Sequence, residues 1–219
     1  RADCWNSRLY WLSMTLDQYR NAIDAAIDPF VDIAIKAGLT PHGVSVIGFG
    51  WAIAAGGAFV FDTPLWYLAG AAFVFINGWM DIIDGALARR LGSSTDSGDM
   101  LDHVLDRYAD MIIIIGLAAG KSAFAFGLLA VTGVVMTSYL GTQIQAVGLG
   151  RAYGGLLGRA DRLALVSITA VVSAVLSSFA GLPSELLGFS LIELLLLTFA
   201  LVGHLTAIQR FRHAWSDLQ

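Results

Sequence analysis

The chain has 219 residues, of which 57% are hydrophobic and only 14% are charged. Soluble domains carry about 25% charge, so a soluble globular domain is excluded and a polytopic membrane protein is expected. The net charge of −4 argues against a nucleic-acid partner, and one cysteine, Cys4, excludes an internal disulfide.

Arg1 to Ser13 fit nothing that follows, and Met14 is an alternative start. Residues 1–14 are therefore read as a disordered or tag-like extension, and residues 15–219 as the membrane domain. Residues 1–40 contain no basic region followed by an apolar core, so no cleavable signal is expected. Residues 15–37 are amphipathic. Leu16, Tyr19, Ile23, Ile27, Phe30 and Ile35 make an apolar stripe, and Asp17, Arg20, Asp24, Asp28 and Asp32 a polar one. The pattern suits a helix lying in the membrane interface. Its polar face is acidic, so packing on the rest of the protein is expected to hold it there. Pro29 is expected to kink or split it.

Six apolar runs follow, each near the ~20 residues that cross a bilayer. They cover about Gly43–Phe61, Leu65–Leu87, Gly98–Gly120, Ala123–Ala146, Arg162–Ala180 and Leu186–Ala207. Thr40-Pro41-His42, Asp62-Thr63-Pro64, a polar loop from Arg89 to Ser97, Lys121, a glycine-rich loop from Gly148 to Gly158, and Pro183 divide them. The expected fold is all-α, with six transmembrane helices and an N-terminal interfacial amphipathic helix. All basic residues except Lys121 and the intraspan Arg107 fall on the side of the termini. The positive-inside rule then puts both termini in the cytoplasm.

Asp81, Asp84, Asp102 and Asp106 lie in the ends of two of these spans. Carboxylates three and four apart share a helix face, so two pairs are poised to converge. Such a cluster repels itself unless positive charge sits within it. Hard divalent cations, which prefer oxygen ligands, suit that place. The four acids fall at similar depth, just below the cytoplasmic surface.

The spacing D-x2-D-G-x2-A-R-x8-G-x3-D-x3-D is complete over Asp81, Asp84, Gly85, Ala88, Arg89, Gly98, Asp102 and Asp106. It resembles that of the CDP-alcohol phosphotransferase family, which makes phospholipid headgroup bonds inside membranes. The resemblance implies that Asp81, Asp84 and Asp102 are ligands of two divalent cations, Mg²⁺ or Mn²⁺. It implies that Asp106 is both a ligand and the general base. Gly85, Ala88, Arg89 and Gly98 would line the CDP site, with Thr95 matching a hydroxyl residue often found just before the second glycine. Glycines let a nucleotide approach the backbone, a helix N-terminus at Gly98 attracts phosphate, and Arg89 offers a forked phosphate contact. The implied reaction is attack by an acceptor hydroxyl on the lipid-bearing phosphorus of CDP-diacylglycerol or CDP-archaeol, releasing CMP. A homodimer is also implied.

Residues 138–163 extend the likeness through Ser138-Tyr139, Ala146, Gly148-Leu149, Gly158-Arg159 and Arg162-Leu163. This order looks like the branch that transfers to inositol phosphate. There the acceptor phosphate is held by cationic residues, for which Arg159, Arg162 and Arg210 are the candidates. Two departures stand out. Leu140 to Gln145 carries no charge where that branch shows a basic stretch, and His42 stands where the family commonly has Asn. Inositol phosphate is the leading acceptor, followed by glycerol phosphate and serine. Basic residues also collect at cytoplasmic helix ends for reasons of topology alone.

Asp99 reads as a first-turn helix acid, His103 as a packing or hydrogen-bonding residue, and Arg107 as a partner for a nearby acid. Asp110 matches no family position and stands open between a partner of the site and a structural contact. Glu193 and His204 form a candidate interhelical pair without assigned function. An ion-coupled transporter would also place acids in spans, but it leaves Gly85, Ala88, Arg89 and Gly98 unexplained. A catalytically silent scaffold leaves the cost of four intact buried acids unexplained.

Overall fold

The computed structural model describes residues 26–150, 157–178, 185–186 and 188–219. Helix α1 covers 26–36, α2 Pro41–Phe59, α3 Pro64–Leu91, α4 Asp96–Gly120, α5 Phe124–Ala146, α6 Arg159–Ser178 and α7 Leu191–Asp217. A two-residue antiparallel hairpin, β1 Glu185–Leu186 with β2 Phe189–Ser190, precedes α7.

Local chemistry sets the helix starts. Thr40 caps α2 by accepting the Gly43 N–H at 3.1 Å, with Pro41 in the first helical position. Thr63 and Pro64 stand in the same order at α3, where the Thr63 side chain makes no cap hydrogen bond. Proline suits this position because its missing N–H would be unpaired anyway. Ser190 and Glu193 form a capping box at α7. At the end of α3, Gly92 adopts φ +60°, the left-handed conformation that closes helices.

Five helices, α2, α3, α5, α6 and α7, are long and apolar enough to cross a membrane. α4 has the length, about 37 Å at 1.5 Å per residue. Its opening turns, however, carry Asp96, Asp99, Asp102, Asp106, Arg107 and Asp110. Large apolar side chains point outward, Leu65 being 73% and Leu128 66% exposed. Such surfaces belong in lipid. The chain is thus an all-α, multi-pass membrane protein.

The bundle closes through glycines. A Cβ on Gly116 of α4 would lie 2.6 Å from the Gly56 Cα of α2. One on Gly203 of α7 would lie 2.7 Å from the Gly133 carbonyl carbon of α5. Small residues let membrane helices approach where no hydrophobic drive exists between them. Phe59, Ile113, Leu117, Leu196 and Phe199 fill the core. α2 packs on α3 and α4, α3 on α6, and α5 on α4 and α7. At one end Lys121 Nζ sits 2.8 Å from Asp62, whose carboxylate accepts from Tyr67. At the other, Arg90 pairs with Asp28 at 3.3 Å and Asp32 at 3.0 Å.

Several expectations shift. α3 runs on to Leu91, so Arg89 and Arg90 are helical rather than loop residues. α4 begins at Asp96, so Gly98 lies inside its first turn. Helix α1 is continuous over 26–36, Pro29 included. Its buried stripe is Ile27, Val31 and Ala34, packed with Val44, Ile83 and Leu87, while Phe30 and Ile35 are exposed. Glu193 is committed to its cap, and His204 Nε2 lies 3.4 Å from the Thr132 hydroxyl, so the two are not a pair. The expected extension 1–14, the start of the amphipathic segment and Pro183 lie outside the described residues.

Candidate metal, nucleotide and acceptor site

A four-residue link, Gly92 to Thr95, joins α3 to α4 and sets the two halves of the acidic motif side by side. One carboxylate oxygen from each of Asp81, Asp102 and Asp106 lies within 4.8 Å of the others. All three are partly exposed. Asp84 stands beside this trio but not in it. It is 7% exposed and accepts a hydrogen bond from the Ser45 hydroxyl at 2.7 Å. The four acids line one gap of about 10 Å³ with Ser45, Asn77 and Arg159. That is space for about one water-sized body. Its polar lining is four carboxylates, a hydroxyl, an amide and the Arg159 guanidinium; the carboxylate oxygens are hard donors that fit a divalent cation of the Mg²⁺ or Mn²⁺ type.

Arg159 closes the gap from α6. Its Nη1 is 2.8 Å from Asp81 and its Nη2 2.9 Å from Asp106. The residue expected at the acceptor phosphate thus also contacts the acids. Arg162 donates to Asp110 at 2.6 Å, and Arg210 donates to the Thr137 carbonyl at 2.5 Å. Arg159, Arg162 and Arg210 line one cavity of 430 Å³, joined by Arg107, His103 and Ser138. Arg107 donates to Ser138 and lies 3.7 Å from Asp106. The Nε atoms of Arg159 and Arg162 are buried without a hydrogen-bond acceptor among the described residues.

A second cavity, of 220 Å³, lies on the other side of the acids. Gly85, Ala88, Arg89, Thr95 and Gly98 all line it, with Asp84 and Asp102 at its boundary with the gap. A Cβ on Gly98 would come within 3.0 Å of His42 Nε2 and 3.2 Å of Thr95 Oγ1. Thr95 is the cap of α4 and accepts the Gly98 N–H at 3.2 Å. That N–H is therefore engaged by the cap, a correction to its reading as an open phosphate donor. At Gly85 the nearest atom to an added Cβ is Arg89 Nη1, 3.4 Å away. Protein packing does not demand glycine there, and Gly85 lines the cavity. Among the described residues Arg89 makes no ion pair.

Sequence reasoning missed His42 and Ser45 as lining residues and Asn77 as a partner of Arg159, and it left Asp110 open between a partner of the site and a structural contact. Asn77 holds the Gly48 carbonyl at 3.0 Å and lies 3.4 Å from Arg159 Nη2. Its signal was available: it precedes Asp81 by one helical turn in an otherwise apolar span. Ser45 gives no such signal, because the contact with Asp84 spans two helices.

The family description CDP-alcohol phosphatidyltransferase matches residues 38–205. The archaetidylinositol phosphate synthase of Methanothermobacter thermautotrophicus is 32% identical over 205 residues, covering 93% of this chain and 96% of that protein. The crystal structure of Mycobacterium tuberculosis phosphatidylinositol phosphate synthase with CDP-DAG bound superposes with a TM-score of 0.71 at 26% identity, covering 86% of this chain and 93% of that one. The same enzyme in complex with manganese and citrate gives a TM-score of 0.72 at 26% identity, covering 86% of this chain and 88% of that one. The eight-position motif, the placement of its four acids around one gap and of its other four residues along the adjoining cavity, and these likenesses agree: the chain belongs to the CDP-alcohol phosphatidyltransferase family.

Proposed function

We propose that this membrane enzyme moves the lipid phosphate of CDP-diacylglycerol or CDP-archaeol to a hydroxyl of inositol phosphate, releasing CMP. The observation that carries the reading is the order of its three spaces. The acidic gap lies between a cavity lined by the nucleotide motif and one walled by arginines.

Asp81, Asp84, Asp102 and Asp106 would hold two divalent cations, which when bound neutralise phosphate oxygens and stabilise the leaving group. Recruiting Asp84 requires Ser45 to share its carboxylate. Gly85, Ala88 and Gly98 keep the nucleotide wall low, Thr95 fixes the start of α4, and Arg89 faces the diphosphate. Arg159, Arg162 and Arg210 hold the acceptor phosphate, an arrangement a neutral alcohol would not need. Asp106 takes the proton of the attacking hydroxyl. The acceptor oxygen bonds to the lipid-bearing phosphorus as the bond to CMP breaks. An apolar groove of 660 Å³ between α3 and α6 begins at Ile76, next to Asn77, and suits a lipid chain.

We further place α4 as the third of six spans, with its acidic end and both chain termini on the cytoplasmic side. Helix α1 would rest in the interface, and the working unit would be a homodimer. Labelling of introduced cysteines tests the orientation, and mass measurement in nanodiscs tests the dimer. The function is tested with purified protein in nanodiscs, given either CDP-lipid, Mg²⁺ or Mn²⁺, and inositol phosphate, glycerol phosphate or serine in turn. CMP release and a new lipid phosphodiester with inositol phosphate are expected. Release with glycerol phosphate or serine alone would reassign the acceptor. Ion flux without CMP release would favour transport.

A further inference from the structure

We propose that Asp110 is a positioning residue for the acceptor: a buried carboxylate that sets the guanidinium groups of Arg162 and Arg159 in the cavity wall without touching substrate. It lies on α4 one turn beyond Asp106 and is 4% exposed. Its Oδ2 accepts from Arg162 Nη2 at 2.6 Å and lies 3.8 Å from Arg107 Nη1. Its Oδ1 lies 3.7 Å from Arg159 Nε. One carboxylate therefore faces three guanidiniums carried by two helices. All three arginines line the 430 Å³ cavity, whereas Asp110 lines neither that cavity nor the acidic gap.

Guanidiniums gathered on one wall repel each other, and Arg162, at 8% exposure, is costly to bury without a partner. A fixed negative charge behind them offsets both effects and locks long, flexible side chains before a ligand arrives. Asp110 engages Arg162 Nη2 and the Leu157 carbonyl lies 3.4 Å from Nη1, and each of these nitrogens carries a second N–H. The anchored side chain thus keeps donor capacity.

The inference rests on the reading of the arginine cavity as the acceptor site, so both are tested together. The full chain in nanodiscs, with Mg²⁺ and CDP-lipid, is compared as wild type, Asp110→Asn, Arg162→Gln and the double variant. KM for inositol phosphate, KM for CDP-lipid, kcat and the thermal midpoint are measured. Asp110→Asn is expected to raise the inositol phosphate KM about tenfold and leave the CDP-lipid KM unchanged. The double variant should be no worse than Arg162→Gln alone, because the two residues act as one unit. Additive effects, equal shifts in both KM values, or a lower midpoint with an unchanged inositol phosphate KM would each overturn the proposal. Should Asp110→Asn not fold, the double variant removes both charges of the buried pair. Equality of its acceptor KM with that of Arg162→Gln then supports the role, and a further rise overturns it. If Arg162→Gln raises the acceptor KM but Asp110→Asn does not, only this inference falls. If Arg162→Gln leaves the acceptor KM untouched, the acceptor reading falls and takes the inference with it.

Discussion

Arg159 Nη2 lies 2.9 Å from Asp106 Oδ1, joining α6 to the acid proposed as the base. The same guanidinium reaches Asp81 at 2.8 Å, so one cation bridges the two helices that carry the acidic motif. Positive charge is thus supplied to the cluster by the chain itself. Arg159→Gln should lower stability by about 1–3 kcal/mol, the range for losing charged contacts in a partly buried site. Added Mn²⁺ should raise the thermal midpoint of this variant more than that of wild type. An equal rise in both would show that Arg159 does not balance the acids.

Asp106→Asn keeps the shape of the side chain and removes its basicity. It should lower kcat by about 10²–10⁴-fold, the usual range for a general base, while CDP-lipid binding is largely retained. Single-turnover CMP release and equilibrium binding separate the two. Near-normal turnover would remove Asp106 from the proton-transfer role.

Gly85 and Gly98 should respond differently to alanine. Gly85→Ala meets nothing closer than Arg89 Nη1 at 3.4 Å, so stability should stay within about 0.5 kcal/mol. Its KM for CDP-lipid should nonetheless rise. Gly98→Ala meets His42 at 3.0 Å and the Thr95 cap at 3.2 Å. It should cost about 1 kcal/mol, as loss of a helix cap does, and raise the same KM. Thermal unfolding beside donor kinetics tests the contrast, which fails if Gly85→Ala unfolds as readily as Gly98→Ala.

Chelation should abolish CMP release, and Mg²⁺ or Mn²⁺ should restore it. Because the acids repel one another, cation binding should also raise the thermal midpoint in the absence of substrate. A midpoint indifferent to both ions would count against the cluster as their site.

Gly203→Ala should destabilise the bundle by more than about 2 kcal/mol, because its Cβ would meet the Gly133 backbone rather than a movable side chain. Gly57→Ala, where nothing lies within 4 Å, serves as the matched control. Equal midpoints for the two variants would contradict the close crossing of α5 and α7.

Much of this arrangement is legible in the sequence because its signals are local. Thr-Pro pairs fix helix starts, uncharged runs fix apolar lengths, and the acids and glycines of the motif follow helical spacing. What was hidden depends on contacts across the fold. Asp110 stands open between two roles until α6 brings Arg162 to it. Arg159 reads as an acceptor contact until its reach to Asp81 is seen. Ser45 becomes a partner of Asp84 only once α2 lies along α3. The end of α3 was placed too early because Arg89 and Arg90 look like loop residues. They are instead favourable cations in a last helical turn.

Helix α1 lies wholly ahead of the family match, which starts at residue 38, yet Ile27 and Val31 share one buried cluster with Ile83 and Leu87. Those two residues flank Asp84 and Gly85, which line the cavity proposed for the nucleotide. The segment is therefore a buttress. Removing it would strip the backing from α3 and slacken the motif from behind, so a shortened chain would lose donor affinity with every matched residue still in place.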